Sequence, residues 1–395
     1  MPGFEKFGEA ERKSVSDVLD TGVLMRYGFD PMRKGHWKAR ELEAALAGRM
    51  QVRHAHLVSS GTAALAVALA NVGVGAGDEV ILPTFTFVAS FEAVLALGAV
   101  PLLCDIDDTL TLDPAAVKEA ITPATRVIMP VHMCGSMADL GALKSIADTH
   151  GLILLEDACQ AIGGSYEGKP LGSYGHVGCF SFDYVKTITC GEGGALITDS
   201  DEIYEKAQAY SDHGHDHIGS DRGAEGHPHL GFNYRISELH AAVGLAQLSR
   251  LDDFIKIQES HYNALRNTID GIPGVTFRRV PKGGVENYSF LNFFLPDEDR
   301  AREVHKALSA AGLDGVFYWY DNNWHYHRRW EHLKGLKSVA KLPLQLMEQF
   351  MSRNTWGHPK SDHWMGRNLS ILVKLGWDQA ELERRSGILR DVLAS

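Results

Sequence analysis

Two short stretches hold the residue types from which amine chemistry can be built. In LLEDACQAIGG (154–164) an acid, Asp157, and an amide, Gln160, follow a strongly apolar run. In SFDYVKTITCGEGGALIT (181–198) Lys186 follows a second apolar run and precedes a turn closed by Gly191, Gly193 and Gly194. A lysine set between a buried strand and a Gly-rich turn can be partly desolvated. Its neutral amine is then nucleophilic enough to form a Schiff base with a carbonyl. A buried acid held ionised can keep a pyridine nitrogen protonated, which makes pyridoxal phosphate an electron sink. Each residue also has a plainer role open to it: Lys186 as a surface lysine, Asp157 as a helix cap. A third stretch, SSGTAAL (59–65), stands just before a helix pattern. Ser60 and Thr62 suit an N-cap region, and Gly61 permits close backbone approach. Free N–H groups and the helix dipole would make this an anion site suited to phosphate, or simply a cap.

These residues need a scaffold that brings strand ends together. Short branched apolar runs, Val80 to Leu82, Val100 to Cys104, Val127 to Val131, Leu152 to Leu155, Val177 to Phe182 and Ala195 to Ile197, are bounded by Gly, Pro or Asp. Helical patterns over Leu42 to Met50, Gly61 to Val72, Pro114 to Ile121 and Leu140 to Thr149 are interleaved with them. Near-continuous apolar strands alternating with helices predict an α/β fold with a mostly parallel central sheet covered on both faces. Ligands of such sheets sit at the carboxyl ends of the strands, where Asp157 and Lys186 fall. Ile236 to Ile257 reads as one long helix leading out of a large domain spanning 1–254. Beyond it, GVTFRRV and SFLNFFLP read as strands and REVHKALSAAGL as a helix, which predicts a smaller α+β domain over 255–395.

Composition narrows the function classes. The formal net charge of −11 over 395 residues makes the chain a poor generic binder of nucleic acid or anionic membrane. No run of about 18 apolar residues predicts a membrane span, and the first residues lack a secretory pattern. The five cysteines are odd in number and have no CxxC spacing, which fits reduced thiols in a cytoplasmic protein.

The order SGTAAL, PTFTFVAS, EDACQAIG, SFxxxK with GEGG, and GFNYRISELHAAVGLAQL resembles the sugar aminotransferase family of the DegT/DnrJ/StrS type over residues 7 to 255. The resemblance implies a fold-type I enzyme dependent on pyridoxal 5′-phosphate. It implies a homodimer in which each active site is completed by the neighbouring subunit. Carried over by position, Lys186 forms the Schiff base, and Asp157 pairs with the pyridine nitrogen. Gln160 lies near the phenolic oxygen, and Phe87 stacks on the ring. The Gly61 turn, the N–H groups of Thr62 and Ala63, and the Ser181 hydroxyl hold the phosphate. Asn233 of GFNYR reaches the other subunit's cofactor. Some relatives that dehydrate a sugar carry His where the aminotransferases carry Lys, so Lys186 favours transamination. The stretch FDYV after Ser181 departs from the usual aromatic-Pro-Thr/Ser run.

The donor implied is L-glutamate and the acceptor a keto-sugar. In place of a YxPLH-like segment the chain has VFYWYDNNWHYHRRWEHLKG (316–335) and HPKSDHWMGRNLSILVKLGW (358–377). These read as a pocket for a polyhydroxylated acid or as a packed small domain. The tail, the chain length and the SFDYVK motif are similar to those of a relative that aminates a free keto-sugar acid, and that resemblance implies 3,8-dideoxy-8-oxo-manno-octulosonate as the acceptor; the alternative is a nucleotide-linked keto-hexose. A cofactor-binding regulator would need a basic DNA-reading module, and no helix-turn-helix with clustered Lys/Arg precedes residue 40. His213, His215, His217, His227 and His229 form a Gly-, Asp- and Ser-rich stretch. It reads as a solvated or substrate-facing loop, and no metal is expected there.

Overall fold

A computed structural model describes residues 2–219, 221–354 and 356–395. Seven strands build the large sheet: β1 (His54–Val58), β2 (Glu79–Pro83), β3 (Val100–Cys104), β4 (Thr125–Ile128), β5 (Ile153–Asp157), β6 (Val177–Ser181) and β7 (Gly194–Thr198). Their spatial order is β1-β7-β6-β5-β4-β2-β3. The pairs β2–β3, β2–β4, β4–β5 and β5–β6 are parallel, while β7 runs antiparallel to both its neighbours. The apolar runs are almost wholly buried, as a sheet covered on both faces requires.

The reversal of β7 matters for the site. Six strands end at one edge of the sheet, and β7 begins there. Ser59 to Gly61 after β1, Asp157 at the end of β5, Ser181 at the end of β6 and Gly194 at the start of β7 therefore meet at that edge. Helices α1 (Lys38–Met50), α2 (Gly61–Asn71), α3 (Val88–Ala96), α4 (Pro114–Ala120) and α5 (Leu140–His150) pack around the sheet. Helix α2 is apolar nearly all round and buries Ala63 to Leu69. It starts at Gly61 because Ser60 Oγ accepts the Ala63 N–H at 3.0 Å.

The long helix expected over 236–257 is instead two: α6 (Glu238–Leu248) and α7 (Leu251–Ile269). The break has a local and a long-range cause. Ser249 Oγ donates back to the Ala246 carbonyl, and Arg250 turns away to bind the Lys6 carbonyl and Glu11. The division expected at residue 254 falls inside α7. A second, antiparallel sheet follows, built from β8 (Thr276–Phe277), β9 (Phe290–Phe294), β10 (Val316–Phe317) and β11 (Asn368–Leu372), in the order β8-β9-β11-β10. It packs with α8 (Glu298–Ala310) and α9 (Gln379–Ala394) around a second core, which also takes in Phe85, Ile106, Leu110, Val131 and Met133 from the first part of the chain.

The C-terminal aromatic segments mostly serve that packing. Tyr318, Trp319, Tyr320, Tyr326 and Trp330 are buried among other apolar side chains. Residues 324–327 also bond backbone to backbone with 84–88. Val88 N–H donates to the Trp324 carbonyl (2.8 Å), Thr86 N–H to that of His325 (3.0 Å), and His327 N–H to that of Thr84 (3.3 Å). No helix among the described residues is long and apolar enough to cross a membrane.

Candidate active site

A cavity of about 290 Å³ opens at the shared strand edge. Lys186, Asp157, Gln160, Ser181, Gly61, Thr62 and Phe87 all line it, together with Ser90, Asp183, Glu192, Trp324 and His325. Seven of the nine residues singled out from sequence thus come together. Ala63 and Asn233 do not line it. The Ala63 N–H is already donated to Ser60, so a phosphate there would compete with Ser60 for it. Asn233 is exposed, and its Oδ1 accepts the Arg235 N–H at 3.3 Å.

Asp157 is 3% exposed, and both its oxygens are engaged. The Cys159 N–H donates to Oδ1 at 3.1 Å and the Ser90 hydroxyl to Oδ2 at 2.7 Å. Lys186 is half-buried, and its turn is fixed by its own backbone. Its N–H donates to the Asp183 carbonyl (3.0 Å), and its carbonyl accepts the Gly3 N–H (2.8 Å). Among the described residues its amine meets neither a hydrogen-bond acceptor nor a carboxylate. Gln160 Oε1 accepts the Cys134 N–H at 3.0 Å. That bond settles which end of the amide is oxygen and leaves its NH₂ free to donate.

The turn before α2 is built for close approach. A Cβ on Gly61 would lie 2.7 Å from Ser181 Cβ, and one on Gly194 would lie 2.2 Å from the Ser60 carbonyl oxygen. The glycines of SSGT and GEGG thus let β1, β6 and β7 close together and aim the free N–H groups of α2 into the cavity. An anion-binding cradle, a buried acid, a free amine, an amide donor and the Phe87 ring form a set that fits pyridoxal phosphate.

Sequence reasoning missed Ser90, Asp183 and Glu192, and it reached Trp324 and His325 only as part of the 316–335 segment read as a pocket or a packed small domain. Those two arrive from about 240 residues away through the pairing of 324–327 with 84–88, which no local pattern announces. Burial and the nearby Lys186 charge press His325 down to about 3, so it is neutral at working pH. Its Nδ1 bonds to Asn322 Oδ1 at 3.0 Å, and because that oxygen only accepts, Nδ1 carries the proton and Nε2 is a bare acceptor. Ser90 sits in PTFTFVAS, where a serine among apolar residues reads as filler.

The histidine-rich loop does not converge. His215 Nδ1 lies 2.8 Å from Glu225 and its ring sits tilted against His227, while His217 lies 3.5 Å from Asp212. Among the described residues no group of three or more ligands could hold a metal ion. Asp212 is the anchor of the loop. Burial alone would raise its pKa, but bonds from Arg222 (2.9 Å) and Arg235 (2.6 Å) outweigh burial and hold it below the usual carboxylate range.

The model of the DegT/DnrJ/EryC1/StrS aminotransferase family matches residues 6–362. The 3-amino-5-hydroxybenzoate synthase of Amycolatopsis mediterranei (strain S699) is 39% identical over 321 residues, 79% of this chain and 80% of its own. The GDP-perosamine synthase of Vibrio cholerae is 35% identical over 314 residues, 79% of each chain. The crystal structure of 3-amino-5-hydroxybenzoic acid synthase matches with a TM-score of 0.82 at 31% identity, covering 98% of this chain and 97% of that one. Fold and site together define a pyridoxal-phosphate-dependent aminotransferase of fold type I. The chain belongs to the DegT/DnrJ/EryC1/StrS aminotransferase family.

Proposed function

We propose that the enzyme moves the amino group of L-glutamate to a keto-sugar and works as a homodimer. The observation that carries this reading is a half-buried, unpartnered Lys186 amine lining the same cavity as a buried, hydrogen-bonded Asp157. Pyridoxal phosphate, when bound, accepts the electron pair left as a proton leaves the donor's Cα. The chain's own residues do the rest. Lys186 takes that proton and later returns one to the carbonyl carbon of the acceptor, as a general base and then a general acid. With the cofactor bound, Asp157 would accept from the ring nitrogen, the free NH₂ of Gln160 would donate to the phenolic oxygen, and Phe87 would cover the ring. Gly61, Thr62 and Ser181 would bind the phosphate, the Ala63 N–H would join them by leaving Ser60 Oγ, and the partner subunit's Asn233 would complete that cradle. Exposed apolar side chains near these loops, Leu24, Phe29, Met32, Ile218, Leu230 and Phe232, support a second copy covering them.

The acceptor in this reading is 3,8-dideoxy-8-oxo-manno-octulosonate, which yields 8-amino-3,8-dideoxy-manno-octulosonate for lipopolysaccharide. Its support is the Trp324–His325 wall, which stands where relatives acting on nucleotide-linked sugars carry a YxPLH-like run. An indole face suits sugar C–H groups, and a bare imidazole nitrogen accepts from a sugar hydroxyl. A nucleotide-linked keto-hexose is the second reading, favoured by the similarity to GDP-perosamine synthase. Mass spectrometry after incubation with glutamate and a panel of both classes tests them. Amine formed on the octulosonate supports the first, and amine formed only on nucleotide-linked sugars overturns it. Lys186→Ala is expected to abolish turnover, and activity surviving in that variant sinks the proposed role of Lys186.

A further inference from the structure

Behind Asp157 lies a hydroxyl chain that none of the assigned roles uses. Thr86 Oγ1 and Ser90 Oγ are 2.6 Å apart, and Ser90 Oγ lies 2.7 Å from Asp157 Oδ2. All three side chains are buried, at 0%, 1% and 3% exposure. Each hydroxyl has one proton to give. Ser90 Oγ donates to Asp157 Oδ2, so its one proton is committed there. Ser90 Oγ then accepts, and Thr86 is the neighbour that supplies the proton, its hydroxyl shared with the Phe87 carbonyl at 3.2 Å. With the Ser90 proton given to Asp157, the 2.6 Å contact, shorter than the 3.2 Å one to the Phe87 carbonyl, favours the polarity Thr86→Ser90→Asp157. Thr86 is itself held by its backbone bond to His325.

We propose that Thr86 and Ser90 are positioning residues that act through Asp157 to keep the shared proton on the ring nitrogen of pyridoxal phosphate. This rests on the pairing of Asp157 with that nitrogen. Hydrogen bonds to a carboxylate favour its charged form, and a buried chain of donors polarises along its length. An acid so stabilised competes weakly for the proton, which stays on the nitrogen where electron withdrawal needs it. Ser90 thereby governs how readily the donor's Cα proton leaves without touching the donor.

The test uses holoenzyme loaded with ring-¹⁵N pyridoxal phosphate, with Ser90→Ala, Ser90→Thr, Thr86→Val and, as control, Asp157→Asn. In Ser90→Ala the ¹⁵N resonance should move from the pyridinium towards the neutral pyridine position. The glutamate half-reaction should slow roughly tenfold in kcat, the scale of one hydrogen bond to a charged group, with little change in KM. Thr86→Val should move the resonance less, and Ser90→Thr should restore it. A resonance that moves in Asp157→Asn but not in Ser90→Ala or Thr86→Val overturns the relay alone. One that stays in place in Asp157→Asn overturns the pairing as well.

Discussion

Gly194→Ala is the substitution whose effect can be worked furthest from the structure, because Gly194 is not among the residues lining the cavity. An added Cβ would lie 2.2 Å from the Ser60 carbonyl oxygen, 2.4 Å from its carbon and 2.8 Å from the Gly61 nitrogen. All three are backbone atoms and cannot swing aside. Reaching ordinary contact at 3.4 Å requires the Ser60–Gly61 peptide to retreat by about 1.2 Å. Overpacking of this kind costs about 1–3 kcal/mol of stability. A retreat of that size also misaligns the N–H groups at the start of α2. Each hydrogen bond lost to a charged phosphate is worth about 1.5–3 kcal/mol, so affinity for pyridoxal phosphate should fall roughly 10- to 100-fold. Titration of the apo-protein with the cofactor, followed by fluorescence, measures the loss, and thermal unfolding of the same apo-protein measures the stability term. A variant that binds the cofactor as tightly as the parent and melts at the same temperature would refute the role given to close strand approach.

Mixing Lys186→Ala with Asn233→Ala should form heterodimers holding one intact site, with activity above the mean of the two parents; no gain on mixing removes the shared-site reading. Glu156 is fully buried and accepts from His132 (2.9 Å) and from the N–H groups of Gly172, Tyr174 and Gly175. Glu156→Ala should cost about 3–5 kcal/mol in denaturant unfolding, because two buried and two part-buried donors lose their acceptor. His327 is buried with neither ring nitrogen hydrogen-bonded, and burial presses it to about 3. Protonation therefore favours the unfolded chain. The stability it permits is whole above about pH 6.5 and is lost as pH falls towards 3, by about 2 kcal/mol at pH 5. His327→Phe should flatten that loss in melts at pH 7 and pH 5, and an unchanged acid slope would reject the assignment.

Much of the large sheet was legible because its strands are short, branched and buried on both faces, so periodicity and punctuation coincide. Lys186, Asp157 and Gln160 were legible for a related reason: each follows a strand, where chemistry in such sheets gathers. The antiparallel course of β7 left no trace in its own residues, since a buried strand reads alike in either direction. The break at Ser249–Arg250 was hidden because its cause, Glu11 and the Lys6 carbonyl, lies some 240 residues upstream. The aromatic segments after residue 316 carry residue types that suit both a core and a sugar pocket. Only the pairing with 84–88 sends Trp324 and His325 to the cavity and Tyr326 and Trp330 inwards.

That pairing has a mechanical outcome. The strip that carries Trp324 is stitched to the strip that carries Phe87 by three main-chain bonds, each worth about 1 kcal/mol net. A clamshell parting along this seam would therefore be populated on the order of one molecule in a hundred. Traffic of sugar and amino acid then passes by the exposed side of the cavity, where the half-exposed Val185 lines it. Bulk added there should throttle entry, while the seam behaves as a fixed hinge pin.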